Sequence, residues 1–286
     1  MKTPQRVFAL FLSFALLLLL TLTAAAAPQP SKPLLIEGAM SIETSTLTAA
    51  LQDPTSHRIG AWTYTSGTLD GYPVIVCLTG QGAAQTSAAT AIGIETFHPC
   101  AVISQGTAGA NDPSLHNYDI VLGRQAFDSS AWHSDYAPEG AGADYRAFTL
   151  RGTYGPDTDI SLPAGQIYYD ADPILLAAAH AAQPAYTKGH ITEGRINSSN
   201  CWNEQVDRIL WFHHTYGATC EEMETNPAAQ ICQEYQVPFL GIRIISNTIF
   251  HQQPFTPDTG TACQEYVLAV ARQYIRTLRG TDSAEP

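Results

Sequence analysis

Lysine is scarce in this sequence: besides Lys2, the chain contains only Lys32 and Lys188. Acidic residues outnumber lysine and arginine by 26 to 14, which gives a formal net charge of −12. A surface this acidic repels the phosphate backbone of nucleic acids, so the charge balance argues against nucleic-acid binding. An anionic ligand would have to rely on arginine side chains or on backbone N–H groups.

Closely spaced metal motifs are also lacking. The six cysteines form no CxxC or zinc-binding spacing, and the nine histidines form no HExxH pattern. We therefore expect neither a metal nor another cofactor. An even number of cysteines permits disulfides in an oxidising compartment, whereas buried free thiols are the alternative for Cys77 and Cys232.

Only one apolar run is long enough to enter a bilayer, and it lies at the N-terminus. Lys2 and Arg6 precede this run, residues 7–22, and four consecutive alanines follow it. This order is typical of a cleaved secretory signal peptide, with an uncleaved membrane anchor as the alternative. The sequence therefore predicts a signal peptide over residues 1–27, a mature domain over residues 28–286, and a secreted or periplasmic protein without membrane attachment after cleavage.

The mature part alternates strand-like and helix-like patterns. Residues 237–245 form a nearly unbroken apolar run with β-branched side chains, which is typical of a parallel strand covered on both faces. A helix with apolar residues spaced by three and four is predicted to begin near Pro227. We find no internal repeat and no long linker. The alternation predicts a single three-layer α/β domain, with helices flanking a central mixed β-sheet.

Further elements follow from local patterns. Asp70-Gly71 predicts the turn of a hairpin. The other helices are predicted over residues 83–97, 172–183, 204–216 and 261–278, a strand over residues 189–196, and long loops around short strands over residues 128–163.

Four segments resemble, in the same chain order, the nucleoside phosphorylase superfamily. They are residues 36–43 (IEGAMSIE), 80–82 (GQG), 104–110 (SQGTAGA) and 219–247, which contains EEMET and ends in ISN. The closest likeness is to the 5′-methylthioadenosine/S-adenosylhomocysteine nucleosidases. The resemblance implies the α/β fold inferred above, cleavage of the N-glycosidic bond of a purine nucleoside, and assembly as a homodimer or larger homo-oligomer.

The resemblance also implies roles for the acids. N-glycosidic cleavage needs a carboxylate that activates water, a second that holds the ribose and favours its cationic form, and a hydrogen bond to the leaving base. Glu43 matches the water-activating glutamate, Glu224 matches the ribose-binding glutamate, and Met223 packs against the sugar. The alternatives are an exposed acid in a first helical turn for Glu43 and a helix-capping acid for Glu224. Glu221 and Glu222 are interpreted as solvated acids, although Glu222 also has a family counterpart.

The base has its own predicted contacts. Trp202 matches an aromatic residue that stacks on the base, with a core tryptophan as the alternative. Asn203 follows it, where the family reads the base edge with backbone groups. The glycine-rich segment is predicted to contribute three substrate-binding residues, Thr107, Ala108 and Gly109.

Asn247 departs from the pattern of the methylthioadenosine nucleosidases, which have a proton-donating aspartate at this position. An amide supplies no proton, but it forms hydrogen bonds through both its oxygen and its NH2 group. That chemistry suits a 6-oxopurine, whose O6 accepts a hydrogen bond, better than it suits adenine. We therefore predict Glu43 and Asn247 as the catalytic residues and a purine as the base, with a 6-oxopurine as the better match.

Phosphorylases of the superfamily hold phosphate with arginines near the first turn and before the Gly106 motif. Residues 38–42 contain no arginine here, and Ser104 occupies the second position. Hydrolysis by water is therefore the predicted reaction, with phosphorolysis or a non-catalytic nucleoside-binding or storage protein as alternatives. Arg243, within an apolar strand, is expected to form a structural ion pair because a lone buried charge is costly.

Overall fold

A mixed β-sheet runs through the centre of the domain. The computed structural model describes residues 31–156 and 165–282; the predicted signal peptide and residues 157–163 of the predicted loops lie outside this part. Within it, ten strands pair in the order β11-β10-β6-β12-β5-β1-β4-β3-β2, with β9 alongside β6. The strands of this sheet are β1 (Leu34–Gly38), β2 (Gln52–Ile59), β3 (Trp62–Leu69), β4 (Tyr72–Leu78), β5 (Ala101–Ala110), β6 (Ile120–Asp128), β9 (Tyr168–Asp170), β10 (Ile191–Ser198), β11 (Ala218–Glu222) and β12 (Phe239–Asn247).

Parallel and antiparallel pairings coexist in this sheet. Strand β1 runs parallel to β4 and β5, and β12 runs parallel to β5 but antiparallel to β6. Strand β11 pairs with β10 and also bridges to β5, so that β5, β12, β6, β10 and β11 form a closed ring. A separate two-stranded ladder joins β7 (Trp132–Ser134) to β8 (Phe148–Leu150).

Helices cover both faces of the sheet. They are α1 (Ser41–Ala49), α2 (Ala83–Phe97), α3 (Pro173–Ala182), α4 (Val206–Tyr216), α5 (Thr225–Glu234) and α6 (Asp258–Asp282). One core joins alternate β1 residues, Leu34 and Ile36, to apolar residues of α1, α3 and α6. A second core joins Leu35 to residues of α2 and α5. Successive side chains of a strand point to opposite faces, so the fold has three layers, and the predicted α/β class is confirmed.

The Asp70-Gly71 turn has the backbone geometry of a two-residue hairpin turn. Strands β3 and β4 are joined by Asp70 and Gly71, both at positive φ (52° and 75°), as a two-residue hairpin turn demands.

All six cysteines lie within the described residues and all are free, with Cys77 and Cys232 buried. The free-thiol alternative is therefore the one that the structure contains. None of the described helices has the length and apolarity needed to cross a bilayer.

The structure adds one strand to the predicted elements and shifts the ends of several others. Strand β2 was not predicted, because its exposed sequence, QDPTSHRI, has no apolar alternation and contains a proline, which only an edge strand tolerates. Helix α5 begins at Thr225, two residues before Pro227. Helix α6 extends the predicted 261–278 at both ends, to Asp258 and Asp282.

Candidate active site

The carboxyl ends of the central strands surround one pocket of about 240 Å³, named the carboxyl-edge pocket. Ligands bind at this edge in open α/β sheets. All nine residues predicted to be catalytic or substrate-binding line it: Glu43, Thr107, Ala108, Gly109, Trp202, Asn203, Met223, Glu224 and Asn247. The structure thus brings together residues that are up to 204 positions apart in sequence (Asn247 minus Glu43), while their individual roles stay predictions.

Glu43 is fixed by four hydrogen-bond donors. It lies in the first turn of α1, where its Oε2 accepts from the backbone N–H groups of Ala39 and Met40, both at 3.0 Å. Its Oε1 accepts from the backbone N and the hydroxyl of Thr107, at 2.8 and 2.9 Å. The side chain is only 2 % exposed, so the alternative of an exposed acid is wrong. Gly106 permits this approach, because a Cβ there would lie 2.8 Å from the Glu43 carboxylate.

The Glu224 side chain bonds to the segment that precedes α2 and does not cap its own helix. Its Oε1 accepts a 2.7 Å hydrogen bond from the backbone N–H of Gly82. The helix α5 is capped by Glu222, whose Oε2 accepts from the backbone N–H groups of Glu224 and Thr225 at 3.0 and 2.9 Å. The capping alternative for Glu224 is therefore wrong. Burial raises the pKa of Glu224 to about 7, repulsion from Glu222 adds to the rise, and Arg243 opposes it.

A buried ion pair lies beneath the pocket. Arg243 Nη2 is 2.6 Å from Glu222 Oε2, and both side chains are almost fully buried. Ser198 donates a 2.5 Å hydrogen bond to Glu222 Oε1, and Ser104 accepts one from Arg243 at 3.1 Å. The expected structural ion pair of Arg243 is confirmed, and the interpretation of Glu222 as a solvated acid is wrong. A charge in an apolar strand needs a buried partner, and this signal in the sequence could have identified Glu222.

Trp202 lies at the mouth of the pocket and is 62 % exposed, so the alternative of a core tryptophan is wrong. Its ring meets that of Phe255 edge to face, with centroids 6.5 Å apart. The neighbouring Asn203 accepts a hydrogen bond from the backbone N–H of Gln205. The two residues thus offer an exposed indole face beside an amide that favours the ionised form of Glu221.

Two polar side chains flank Gly109. Asn247, at the end of β12, pairs with Gly109 on one side, and Glu221 of β11 pairs with it on the other. The Oδ1 of Asn247 lies 3.0 Å from the Ser246 hydroxyl. Asn111 donates a 3.2 Å hydrogen bond to Glu221 Oε2. Burial raises the pKa of Glu221 to about 7, so Glu221 is not the solvated acid that the sequence predicts.

The pocket contains further residues that were not predicted from the sequence. Met40 and Gln81 belong to segments quoted for the resemblance, and Ser246 precedes Asn247, so their motifs could have indicated them. Phe255 lies in a loop without periodicity and left no such signal. The remaining lining residues are Ala39, Cys201, Glu221 and Glu222.

The described residues that line the pocket include neither a lysine nor an arginine. Across the described part of the chain, no group of three or more histidine, cysteine or acidic residues is arranged to hold a metal ion.

Comparison with known proteins places the chain in a family. The model of the phosphorylase superfamily matches residues 33–277. The chain belongs to the phosphorylase superfamily. A 5′-methylthioadenosine/S-adenosylhomocysteine nucleosidase of Anoxybacillus flavithermus is 28% identical over 215 residues, which cover 75% of this chain and 84% of the relative. The corresponding nucleosidase of Bacillus thuringiensis is 28% identical over 218 residues, covering 75% and 85%.

Solved structures of the superfamily share the fold. The nucleosidase of Neisseria meningitidis, in complex with methylthio-immucillin-A, superposes with a TM-score of 0.68 at 22% identity, covering 84% of this chain and 99% of that one. Futalosine hydrolase of Helicobacter pylori gives 0.69 at 20% identity, covering 85% and 98%. The predicted likeness to the methylthioadenosine/S-adenosylhomocysteine nucleosidases is confirmed, and the predicted enzyme type, an N-glycosyl hydrolase, agrees with the names of these relatives.

Proposed function

We propose that this chain hydrolyses the N-glycosidic bond of a purine nucleoside, with a 6-oxopurine as the favoured base. The observation that carries the proposal is that Glu43 and Glu224 face one pocket together with Trp202 and Asn247. The names of the relatives, nucleosidases at 28% identity, support the same reaction. The pocket divides into a sugar side, which consists of Glu43, Met223 and Glu224, and a base side, which consists of Trp202, Asn203, Glu221 and Asn247.

Glu43 activates the attacking water. Its four donors fix the position of both carboxylate oxygens at the pocket. They also occupy the four or so lone-pair sites that a carboxylate offers. The Thr107 hydroxyl is the only one of the four that can rotate away without moving the backbone. We therefore assign to the water the place of this hydroxyl beside Glu43 Oε1.

Glu224 holds the ribose hydroxyls and stabilises the cationic sugar. Four glutamates line the pocket, and among the described residues only Glu222 of the four is neutralised by an ion pair. Above pH 7, where Glu221 and Glu224 are ionised, this negative field favours the positive charge that develops on the sugar as the bond breaks. The same field repels phosphate, and the described lining contains no lysine or arginine to offset it. Water is thus a better nucleophile here than phosphate.

On the base side, Trp202 stacks against the purine and Asn247 forms hydrogen bonds to its edge. Because an amide cannot give up a proton, the leaving base gains a hydrogen bond rather than a full proton from Asn247. This arrangement suits a base that leaves readily when it only receives a hydrogen bond from Asn247. It also suits a base that takes its proton from solvent.

Base release from four nucleosides tests the proposal. The mature protein, residues 28–286, is incubated with inosine, guanosine, adenosine and 5′-methylthioadenosine, with and without phosphate. We expect release without phosphate, fastest from inosine or guanosine. Strict dependence on phosphate would instead establish a phosphorylase. Calorimetric binding without any release would establish a non-catalytic binding protein.

The proposal includes export and self-association. Its basis is the order of basic start, apolar run and alanines in residues 1–27, together with the oligomeric state implied by the resemblance. Mass spectrometry of the full chain expressed in a bacterial host should find an N-terminus near Pro28, and light scattering should give at least twice the chain mass. A full-length protein retained in the membrane fraction would favour the anchor instead.

A further inference from the structure

Glu221 is a buried acid to which the proposed mechanism assigns no contact of its own. It lines the carboxyl-edge pocket at the end of β11, directly opposite Gly109 in the β5–β11 ladder. On the other side of the same glycine, β12 places Asn247. A Cβ at Gly109 would lie 3.2 Å from Asn247 Nδ2 and 3.8 Å from Glu221 Cγ. Both side chains therefore converge above this glycine, on the face of the strand that borders the pocket.

The two side chains offer opposite hydrogen-bonding groups. Ser246 Oγ lies 3.0 Å from Asn247 Oδ1 and 3.1 Å from the carbonyl oxygen of Ala108, so its single proton is shared between two acceptors. This contact orients the oxygen of the Asn247 amide toward Ser246 and leaves its NH2 group above Gly109. Asn247 thus presents a donor to the pocket.

Glu221 presents an acceptor beside that donor. Asn111 donates to its Oε2 at 3.2 Å, and an ionised carboxylate accepts at both oxygens. The side-chain amide of Asn203, which lines the same pocket, also favours the ionised form of Glu221. The carboxylate of Glu221 is thus held as an acceptor beside the donor of Asn247.

From this juxtaposition we infer that Glu221 and Asn247 act as a pair that selects the base. The NH2 group of Asn247 donates to a carbonyl oxygen at C6, and the carboxylate of Glu221 accepts the adjacent N1–H. This inference rests on the proposed function for the placement of the base, and it adds the residue that determines which base is accepted.

Adenine mismatches the pair at both positions. Its 6-amino group is a donor facing the NH2 group of Asn247, and its N1 is an acceptor facing the carboxylate of Glu221. A 6-oxopurine matches both, and the 2-amino group of guanine adds another donor next to N1. A single hydrogen bond to a charged group changes affinity by about 10- to 100-fold, so Glu221 alone is sufficient to set the preference.

Calorimetric binding of the free bases hypoxanthine and adenine tests the inference. The measurements are made at pH 8, because the pKa of Glu221 is about 7 and the carboxylate is ionised there. We expect the wild-type protein to bind hypoxanthine at least tenfold more tightly than adenine. In Glu221→Gln, whose amide turns to suit either base, that ratio should fall by about tenfold or more.

Two further variants complete the experiment. Glu139→Gln removes one charge from an exposed loop position and should leave the ratio unchanged. Ser246→Ala frees the Asn247 amide to rotate and should lower the ratio several-fold. A denaturation midpoint for Glu221→Gln that matches the wild type establishes that the variant is folded.

The outcomes separate this inference from the proposed function. Equal changes in the affinities for both bases in Glu221→Gln, or a wild-type preference for adenine at pH 8, would overturn the role of Glu221 even if the protein releases base from nucleosides. Conversely, a wild-type protein that releases no base but shows the expected ratios would sustain base selection and refute hydrolysis.

Discussion

The sugar side and the base side of the pocket are built differently. On the sugar side, backbone N–H groups from several segments bind the carboxylates: Ala39, Met40 and Thr107 hold Glu43, and Gly82 holds Glu224. On the base side, other side chains hold the polar groups: Ser246 donates to Asn247, and Asn111 donates to Glu221. Backbone donors are fixed by the fold before any ligand arrives, so the sugar side is preorganised. The base side depends on side chains, which are able to reorient when a ligand binds.

Glu43→Gln is the most severe test of this difference. An amide does not take a proton from water, and its NH2 group would face donors at Ala39 and Met40 or at Thr107. We expect the rate of base release from inosine to fall by about 10³-fold or more. Because Glu43 belongs to the sugar side, the affinity for free hypoxanthine should change less than twofold. A large loss of affinity for the free base would show that the two sides are not separable.

The ion pair below the sugar side should carry the largest stability effect. Arg243→Met leaves the Glu222 carboxylate buried without its partner at 2.6 Å. Removal of one member of a buried pair costs about 3–5 kcal/mol in the free energy of unfolding, which denaturant titration measures. The double variant Arg243→Met, Glu222→Gln removes both charges and should recover part of this loss. No recovery would mean that the pair contributes mainly through its packing or its hydrogen bonds.

The layered fold was predictable because its signals are strong and local. The apolar run at residues 237–245 overlaps most of β12. The helix predicted over residues 83–97 has the same bounds in the structure. Edge elements were less predictable. Strand β2 is exposed along most of its length, so no apolar period marks it, and only its pairing with β3 makes it a strand.

The lining of the candidate site was predictable for residues in short motifs, but not for residues that only the tertiary structure brings to the pocket. Glu43 and Glu224 lie in such motifs, and both line the pocket. Glu221 and Glu222 look alike in sequence, as two acids in a row. The structure gives Glu222 an ion pair and a capping role, whereas Glu221 faces Gly109 across a ladder from β5. A pairing between residues 112 positions apart (Glu221 minus Gly109) has no local signal.

The pH dependence of catalysis defines the role of Glu224 more closely. Its pKa is raised to about 7, chiefly by burial, so the carboxylate becomes protonated and loses acceptor capacity as the pH falls below 7. We expect kcat/KM to rise about tenfold between pH 6 and pH 8, as the ionised fraction of a group with this pKa does. Glu221 titrates in the same range, so the profile is measured in Glu221→Gln. In the double variant that also carries Glu224→Gln, the profile should be flat over this range; a remaining tenfold rise would assign the titration to another group.

The smallest expected effect comes from two glycine substitutions in one strand, β5. One of the glycines contacts the base side and the other contacts the sugar side. In Gly109→Ala, the new Cβ would lie 3.2 Å from Asn247 Nδ2, so the base-side amide must shift by a few tenths of an ångström. We expect KM for inosine to rise about fivefold, which corresponds to about 1 kcal/mol, with little change in kcat. The matched variant is Gly106→Ala, whose Cβ would lie 2.8 Å from the Glu43 carboxylate and should lower kcat instead. If both alanines change the same kinetic constant by the same factor, the pocket responds as one unit, and the division into a side held by backbone donors and a side held by side chains is wrong.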